Sequence, residues 1–438
     1  MPRPLHYLGR HEKAWSPPPA LQLVPFITRV RVANYRNLRA IDVKLGPFNV
    51  LVGLNGSGKS NFIDALRFLT DALYSSPAQA LERRGGIASI LSRVPTPTDR
   101  FAICVETEQS YGPNSDQSVT ACYGFELRAS AKRSERPFVV EREECRIRFQ
   151  TTGVGPKGFS VRRGEVAQEH TLGMPAPQIE PDRLYLPIAS ANPNLAPLHS
   201  SLINMAFYNL DLRSLKRPET RTLGERLGPH GEYLGSVLDH LEAVYPVAKA
   251  RVDEYMKNLV SDLSSIHKHY VGSNLTVGMD LHAGAEDHQR FSSAEMSDGT
   301  LRSAAVLSAL FQPWALEGRI PLVAIEEPET SIHPAGAGVL FDAMLEASSW
   351  VQVVASSHSG DLLDRDDLPS ESVLAISSDH GQSAMGKIDE AGRNALRDAL
   401  FTTGELLRAG QLFPDKKSRA LSHLEGFDVF KGMGVAGV

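Results

Sequence analysis

The chain has 438 residues, of which 42% are hydrophobic and 22% are charged, and its 46 Lys+Arg and 51 Asp+Glu give a formal net charge of −5. At about 100–200 residues per domain, this length predicts two to four structural units, and the composition argues against wholesale disorder and fibrous repeats. The apolar stretches fall short of the roughly 20 residues that cross a bilayer, and the N-terminus lacks the apolar core of a signal peptide.

Five segments are predicted in chain order. Residues 1–24 are Pro-rich and aperiodic, which is typical of an extended arm. Residues 25–125 are predicted to form a first lobe, residues 126–290 an inserted β-rich and helical region, and residues 291–375 a second lobe. Residues 376–438 are predicted to form a C-terminal helical tail.

Hydrophobic periodicity predicts the elements of the first lobe. Alternation over Ile27–Val32 and Ile41–Leu45 indicates half-buried strands, and Asn49–Val52 indicates a third strand. The period then becomes helical, with an apolar face formed by Phe62, Leu66, Leu69 and Leu73. The chain therefore runs from a strand through a Gly-rich loop into a helix.

Weaker patterns cover the middle and the end of the chain. Residues 101–161 are mostly strand-like, and the Pro/Asn-rich residues 175–197 are typical of a linker. Residues 232–270 and 395–407 have helical spacing. The three cysteines, Cys104, Cys122 and Cys145, have no CxxC spacing, so we expect a protein of the reducing cytoplasm.

The Gly-rich loop at residues 53–60, GLNGSGKS, satisfies the pattern GxxxxGK[ST]. Glycines allow consecutive backbone N–H groups to cradle phosphate oxygens, and the following helix adds its positive N-terminal end. Lys59 would bridge the β- and γ-phosphates, and Ser60 would bind Mg²⁺. The residues predicted to contact the nucleotide are Gly53, Asn55, Gly56, Ser57, Gly58, Lys59, Ser60 and Asn61.

A pair of carboxylates follows the apolar run Ile320–Ile325. At a phosphate site, Glu326 would hold Mg²⁺ through water and Glu327 would accept a proton from the attacking water. An apolar run that ends in acids is more often a strand that meets solvent, but its pairing with the Gly-rich loop favours catalysis. Many P-loop ATPases have Asp where this chain has Glu326, a departure that keeps the charge.

Two further elements fit the same site. The strand predicted at Val351–Ala355 leads into His358, which could hydrogen-bond a γ-phosphate and orient water. Ser297 and Gly299 open a predicted helix, where a hydroxyl and free N–H groups can face an anion. Taken alone, a His at a strand end is usually structural and a Ser at a helix start is an ordinary N-cap.

The order GLNGSGKS, MSDGT, LVAIEEPE and SSHS resembles the Walker A, signature, Walker B and switch-histidine elements of ABC-type ATPases. The opening VRVANYRNL and the following VLVGLNGSGKSNFIDAL resemble the RecF/OLD/SMC branch. The form SDGTLR, with EEPE followed by Ser331–Pro334, resembles stand-alone AAA-type ATPases near RecF and OLD that lack a TOPRIM domain. This resemblance covers roughly residues 25–410.

The resemblance implies an α/β fold, namely a P-loop ABC-type ATPase head with a mixed sheet, flanking helices, an antiparallel β subdomain and a helical lobe. It implies ATP and Mg²⁺ as cofactors and a homodimer or higher oligomer, because Ser297 and Gly299 act in trans in this family. Ser331–Pro334 would be the D-loop equivalent, although it lacks the usual Asp. Arg36 would lie near the base or ribose, and the candidates for the Q-loop glutamine are Gln79, Gln109, Gln117 and Gln150.

Motif spacing narrows the choice within the superfamily. Lys59 and Ser297 are 238 residues apart, which is too close for long coiled-coil arms and too far for a transporter subunit. Only 80 residues follow His358, where OLD nucleases continue into a TOPRIM domain, so we expect no nuclease in this chain. Asp364-Arg365-Asp366 matches DxD but is predicted to be an acidic surface turn.

Charge is unevenly distributed. Residues 126–163 carry ten Lys/Arg against five acids, which leaves +5 in this segment and −10 elsewhere. Such clustering suits phosphate contacts, but charged outer faces of strands produce it equally well. Nucleic-acid binding therefore stays open, and no membrane partner is expected.

Three functions remain. The first is an ATP-dependent dimeric switch in DNA maintenance or anti-phage defence that controls a separate effector such as a nuclease. The second is a RecF-like DNA-binding repair ATPase. The third is a scaffold that binds ATP without turnover.

Overall fold

The computed structural model describes residues 26–111, 117–131, 136–149, 157–170, 179–282, 288–365 and 368–432, so the predicted N-terminal arm lies outside the described residues. The strands are β1 Ile27–Tyr35, β2 Leu38–Lys44, β3 Phe48–Val52, β4 Arg100–Tyr111, β5 Gln117–Ala129, β6 Phe138–Phe149, β7 Lys157–Arg162, β8 Glu165–His170, β9 Ala206–Tyr208, β10 Leu263–Val271, β11 Asn274–His282, β12 His288–Ser292, β13 Leu322–Glu326, β14 Gln352–Ser357, β15 Val373–Asp379 and β16 Gln382–Lys387. The helices are α1 Lys59–Tyr74, α2 Pro77–Glu82, α3 Ile87–Ile90, α4 Leu186–Ala189, α5 Ala196–Ile203, α6 Leu212–Lys216, α7 Leu234–Val244, α8 Pro246–Leu259, α9 Asp298–Phe311, α10 Pro313–Leu316, α11 Pro334–Ala347, α12 Gly360–Leu363, α13 Glu390–Arg397, α14 Thr403–Arg408 and α15 Lys416–Ser422.

A six-stranded sheet in the order β16-β15-β3-β14-β13-β9 forms the centre of the molecule. Every neighbouring pair is parallel except β15 with β16. β3 and β14 are buried along their whole length, as expected for parallel strands covered on both faces. The carboxyl ends of the parallel strands therefore meet at one edge of the sheet.

A seven-stranded antiparallel sheet in the order β2-β1-β4-β5-β6-β7-β8 lies on one side. Its inward side chains share a core with α1 and with Leu51, Ala324 and Val354 of the central sheet, so α1 packs between the two sheets. The predicted apolar face of α1 is buried as expected.

A helical lobe covers the other face of the central sheet. Val237, Val252, Leu307 and Leu340, one each from α7, α8, α9 and α11, share a core with alternate residues of β3 and β13. The short sheet β10-β11-β12 completes this lobe. The predicted α/β class, with a mixed sheet, flanking helices, an antiparallel β subdomain and a helical lobe, is confirmed. In the described part of the chain, no helix has the length and apolarity to span a membrane.

Several element predictions were wrong. Helical spacing over 232–270 ends at Leu259, and the following residues form β10, because pairing with β11 along its length overrides the local pattern. The helical tail predicted at 376–438 begins instead in β15 and β16, since β15 joins β3 in the central sheet.

One segment boundary, the predicted linker and one predicted helix also differ from the prediction. The strand Gln117–Ala129 runs across the boundary drawn at residue 125, so the inserted region shares its sheet with the first lobe. In the described part of the predicted linker, residues 179–197 include α4 and bury Leu186 and Leu195 against α1 and the antiparallel sheet. The helix predicted over 395–407 is divided between α13 and α14.

Candidate functional site

The candidate site lies where β3, β13 and β14 end side by side. In the register of these strands, Val52 pairs with Ser357, and Ser356 pairs with Glu326. The Gly-rich loop, the acidic pair and the switch histidine follow these strand ends directly. The structure therefore brings together three of the four predicted motifs.

The Gly-rich loop has the backbone geometry of a phosphate cradle. Gly56 and Gly58 have φ angles of 76° and 112°, in the left-handed region that favours glycine. Gly53 is required by a close approach, since a Cβ there would lie 2.1 Å from the carbonyl oxygen of Ile376 in β15. No side chain caps the N-terminus of α1, which leaves its first N–H groups available to an anion.

Lys59 lies buried and turned toward its own loop. Its Nζ donates to the carbonyl oxygens of Gly53 at 2.6 Å and Leu54 at 3.1 Å. Burial lowers the pKa of Lys59, against the opposing effect of the nearby carboxylates of Glu327 and Glu329. The ammonium group is thus held in the loop by two uncharged carbonyl oxygens, which negatively charged phosphate oxygens could replace.

Ser60 and Glu326, the predicted metal residues, are in contact. The Ser60 hydroxyl hydrogen-bonds the Glu326 carboxylate, while burial raises the pKa of Glu326. Hydroxyl and carboxylate oxygens are donors that Mg²⁺ accepts. No group of three or more His, Cys, Asp or Glu side chains within the described residues is arranged to hold an ion. A bound Mg²⁺ would therefore need phosphate oxygens and water to complete its coordination.

Glu327 and His358 face each other across the ends of β13 and β14. Their Oε1 and Nδ1 atoms are 3.1 Å apart, and the two side chains are 42% and 44% exposed, so water can reach both. Glu327 has a φ of 46°, and its backbone N–H donates to the carbonyl oxygen of Ser356. A carboxylate beside a histidine in a water-accessible cleft can accept a proton.

Arg36 and Asn61 lie beside the first turn of α1. Arg36 donates to Asn61 Oδ1 at 3.0 Å and forms an ion pair with Asp64 at 3.0 Å. Asn61 in turn donates to Asn37 Oδ1 at 2.7 Å. Arg36 therefore flanks the phosphate loop, and its contact with the base or ribose stays a prediction.

Four residues of the site were missed by the sequence analysis: Asn37, Ser357, Glu329 and Ser383. Asn37 donates to the Gly56 carbonyl at 3.4 Å, and Ser383 of β16 donates to the Ser57 carbonyl at 2.5 Å. Glu329 accepts from the Ser357 hydroxyl at 2.5 Å. The sequence EEPE could have indicated Glu329, because it contains a third acid. Nothing local in the sequence indicates Ser383, which contacts the loop because β16 lies beside β15 in the central sheet.

The signature residues lie in a different groove. Ser297 caps α9 by accepting from the Thr300 N–H at 3.1 Å, and a Cβ at Gly299 would lie 2.5 Å from the Ser331 carbonyl oxygen. The groove has a volume of about 420 Å³ and is lined by Asn258, Leu259, Val260, Ser297, Gly299, Thr300, Ser303, Ser331, Ile332, His333, Ala335 and Gly336. Its described lining includes no residue of the Gly-rich loop and neither Glu327 nor His358.

The Q-loop glutamine stays undecided. Gln79 is exposed in α2, Gln109 lies in β4 and Gln117 begins β5, while Gln150 lies outside the described residues.

The first acid of the DxD match, Asp364, directly follows α12. Asp364 accepts from Thr402 and forms an ion pair with Arg408, as expected for a structural acid. Asp366 lies outside the described residues.

Several arginines of the basic segment form ion pairs with nearby acids. Ion pairs join Arg128 to Asp99, Arg142 to Glu144, Arg163 to Glu141 and Arg136 to Glu180. These pairs favour the interpretation of charged strand faces, and binding of nucleic acid by this segment stays a prediction.

A protein-family model described as "AAA domain, putative AbiEii toxin, Type IV TA system" matches residues 48–365. The DNA replication and repair protein RecF of Haemophilus ducreyi (strain 35000HP / ATCC 700724) is 48% identical over 44 residues, which are 10% of this chain and 12% of that protein. RecF of Brucella abortus (strain 2308) is 43% identical over 58 residues, 13% of this chain and 14% of that protein. The matched regions thus span about an eighth of these curated relatives.

The solved structures that this chain matches include SMC heads. An SMC head bound to the C-winged helix domain of ScpA has 14% sequence identity and a TM-score of 0.49, covering 84% of this chain and 100% of that chain. The SMC head domain from Thermotoga maritima has 12% identity and a TM-score of 0.42, covering 83% and 99%.

Proposed function

The chain belongs to the AAA domain family whose model matches residues 48–365, as an ABC-type ATPase of the RecF/SMC-like kind, and from this premise we propose that it hydrolyses ATP and works as an ATP-dependent dimeric switch. The observation that carries hydrolysis is the convergence of Lys59, the Ser60–Glu326 contact and the Glu327–His358 pair at adjacent strand ends.

Each residue has a role that follows from its position. The N–H groups of the loop and of the first turn of α1 bind phosphate oxygens, and Lys59 exchanges its carbonyl acceptors for them. Ser60 and Glu326 would hold Mg²⁺, which would neutralise phosphate charge. Glu327 accepts the proton of the attacking water, and His358 orients that water and the Glu327 carboxylate.

Hydrolysis is tested by two substitutions. Glu327→Gln keeps the shape of the site but removes the proton acceptor, so we expect ATP turnover to fall by about 10²-fold or more while ATP binding persists. Lys59→Ala removes the buried phosphate ligand, so we expect ATP binding itself to be lost. Glu371→Gln and Lys417→Ala, which alter exposed residues away from the site, serve as matched controls. Turnover that survives both Glu327→Gln and Lys59→Ala would contradict the assignment.

The dimeric switch is supported by the groove that holds the signature residues. The described lining of this groove contains Ser297 and Gly299 but no residue of the phosphate loop, and we infer that each signature motif meets a nucleotide bound by a second copy. Closure of the dimer would bury two ATP molecules between the two chains, and hydrolysis would reopen the dimer. Such a cycle suits control of a partner better than metabolic throughput.

The context we propose is DNA maintenance or anti-phage defence with a separate effector, such as a nuclease. The family description names a toxin of a type IV toxin–antitoxin system, and the curated relatives are named for DNA replication and repair. An effector gene adjacent to the gene of this chain would support this context.

A RecF-like DNA-binding repair ATPase is the second candidate, favoured by the local identity to RecF. It requires ATP-dependent binding to gapped DNA whose affinity falls steeply with salt. Binding that is independent of ATP and salt would exclude it. The third candidate, a scaffold without turnover, is excluded if the wild-type chain hydrolyses ATP.

A further inference from the structure

A carboxylate without a role in the proposed reaction lies beneath the site. Glu329 is only 7% exposed, and its Oε1 accepts from the Ser357 hydroxyl at 2.5 Å. Its Oε2 is buried and has no hydrogen-bond partner among the described residues. Burying a carboxylate with one unpartnered oxygen costs free energy, so a contribution to stability does not explain an acid at this position.

Ser357 connects Glu329 to the switch loop. Its hydroxyl accepts from the Ser359 N–H at 3.0 Å and donates to Glu329. Ser357 and Ser359, the residues on either side of His358, are therefore linked to Glu329 through this hydroxyl. Ser357 is fully buried at the end of β14, next to Val52 of β3. The backbone on both sides of His358 is therefore anchored to the turn that follows β13.

The same two loops meet a second time at the reacting groups. His358 Nδ1 lies 3.1 Å from Glu327 Oε1, and the Glu327 N–H donates to the Ser356 carbonyl at 3.0 Å. The Glu329–Ser357 hydrogen bond and the Glu327–His358 pair therefore join the same two loops. Loss of the Glu329–Ser357 hydrogen bond frees the loop that carries His358, while the phosphate loop keeps its own contacts to β15 and β16.

We propose that Glu329 is a positioning residue: through Ser357 it fixes the switch loop so that His358 holds the Glu327 carboxylate in line with the attacking water. This inference rests on the proposed ATP hydrolysis. Glu329 acts through Ser357 and His358 and does not itself contact the nucleotide. The distinctive expectation is a loss of kcat with little change in KM.

Steady-state ATP hydrolysis by the full chain tests the assignment. Glu329→Ala removes the acceptor of the Ser357 hydroxyl, so we expect kcat to fall about tenfold or more while KM for ATP stays within about twofold. Ser357→Ala removes the same hydrogen bond and also the acceptor of the Ser359 N–H, so its kcat is expected to fall at least as far. Glu329→Gln keeps an oxygen acceptor for Ser357 and is expected to restore most of kcat.

A double-mutant cycle separates positioning from a general structural effect. In a His358→Ala background, Glu329→Ala is expected to lower kcat no further, because the group that it positions is absent. Multiplicative losses, or a Glu329→Gln variant as slow as Glu329→Ala, would overturn the inference. If Glu329→Ala does not fold, Ser357→Ala and its combination with His358→Ala carry the same test.

Failure of the inference and failure of the proposed function give different results. Wild-type turnover that depends on Glu327 but is unchanged by Glu329→Ala and Ser357→Ala refutes the positioning role alone. A wild-type chain that does not hydrolyse ATP, or whose turnover ignores Glu327→Gln, refutes the proposed hydrolysis.

Discussion

Individual side chains in this site are held by contacts that the nucleotide would replace or complete. Lys59 is bound by two carbonyl oxygens of its own loop, and Ser60 contacts Glu326. The residues of contiguous motifs could be predicted from the sequence, because a phosphate loop is built from neighbouring residues. Ser383 could not, since its contact with Ser57 depends on how β16 folds back beside the loop.

Burial also affects a carboxylate far from the candidate site. Glu143 is fully buried, and burial raises its pKa from its ordinary value of 4.5 to about 7, although the Tyr185 and Leu186 N–H groups and the Tyr123 hydroxyl donate to it. Its role is to join β6 to the start of α4. The cost of ionising it in the folded state makes the free energy of unfolding depend on pH.

Because the pKa is raised by folding, the folded chain binds more protons than the unfolded chain between pH 4.5 and 7. The contribution of Glu143 to stability is therefore fully present below pH 4.5 and is lost as pH rises to 7, by up to about 3 kcal/mol. Urea unfolding of the wild type and Glu143→Gln at several pH values measures this difference. We expect the stability of the wild type relative to the variant to fall from pH 5 to pH 7 and then to level off. A constant difference between them would contradict the assignment.

Elements beyond the motifs couple the switch histidine to the C-terminal region. α12 begins two residues after His358 and packs against α14, where Gly360 and Gly404 approach closely. Arg408 of α14 pairs with Asp361 and Asp364 at the two ends of α12. The C-terminal helices therefore support the loop that carries the histidine.

This packing predicts the effect of one methyl group. A Cβ at Gly404 would lie 2.3 Å from the Gly360 carbonyl oxygen and 2.2 Å from Asp364 Oδ1, so Gly404→Ala must push α14 away from α12. We expect a loss of about 1–3 kcal/mol in the free energy of unfolding and slower ATP hydrolysis. Gly46→Ala, whose Cβ would meet neighbours no closer than 3.8 Å, is the matched control in thermal unfolding and turnover assays. Equal behaviour of the two variants would show that α14 does not support α12.

Local patterns predicted some elements better than others. β3, β13 and β14 each contain a short apolar run that is recognisable without a distant partner, namely Val50–Val52, Leu322–Ile325 and Val353–Ala355. β15 passes from apolar residues into serines and an aspartate, β16 mixes apolar residues with polar and small ones, and β10 has helical spacing. Their strand state therefore depends on pairing with neighbours. For the same reason, the sequence showed Glu329 as an acid but could not show that it faces Ser357.

On the scale of the whole molecule, the predicted motifs occupy two places. Three motifs meet at the central sheet, whereas the signature residues line a groove against residues 331–336. The order of the motifs in the chain predicted this family, and the separate groove of the signature residues is the observation behind the proposed second copy. The charge of −5 is not a barrier to nucleic acid by itself, and several arginines of the basic segment pair with nearby acids.

The mass of the particle in solution tests the central claim most directly. Glu327→Gln in the presence of ATP and Mg²⁺ is expected to have twice the mass of its nucleotide-free form by sedimentation or light scattering, because slow hydrolysis preserves the closed dimer. A second substitution, either Lys59→Ala or Ser297→Arg, is expected to return the mass to that of the nucleotide-free form. An identical mass for Glu327→Gln with and without ATP would contradict ATP-driven dimerisation.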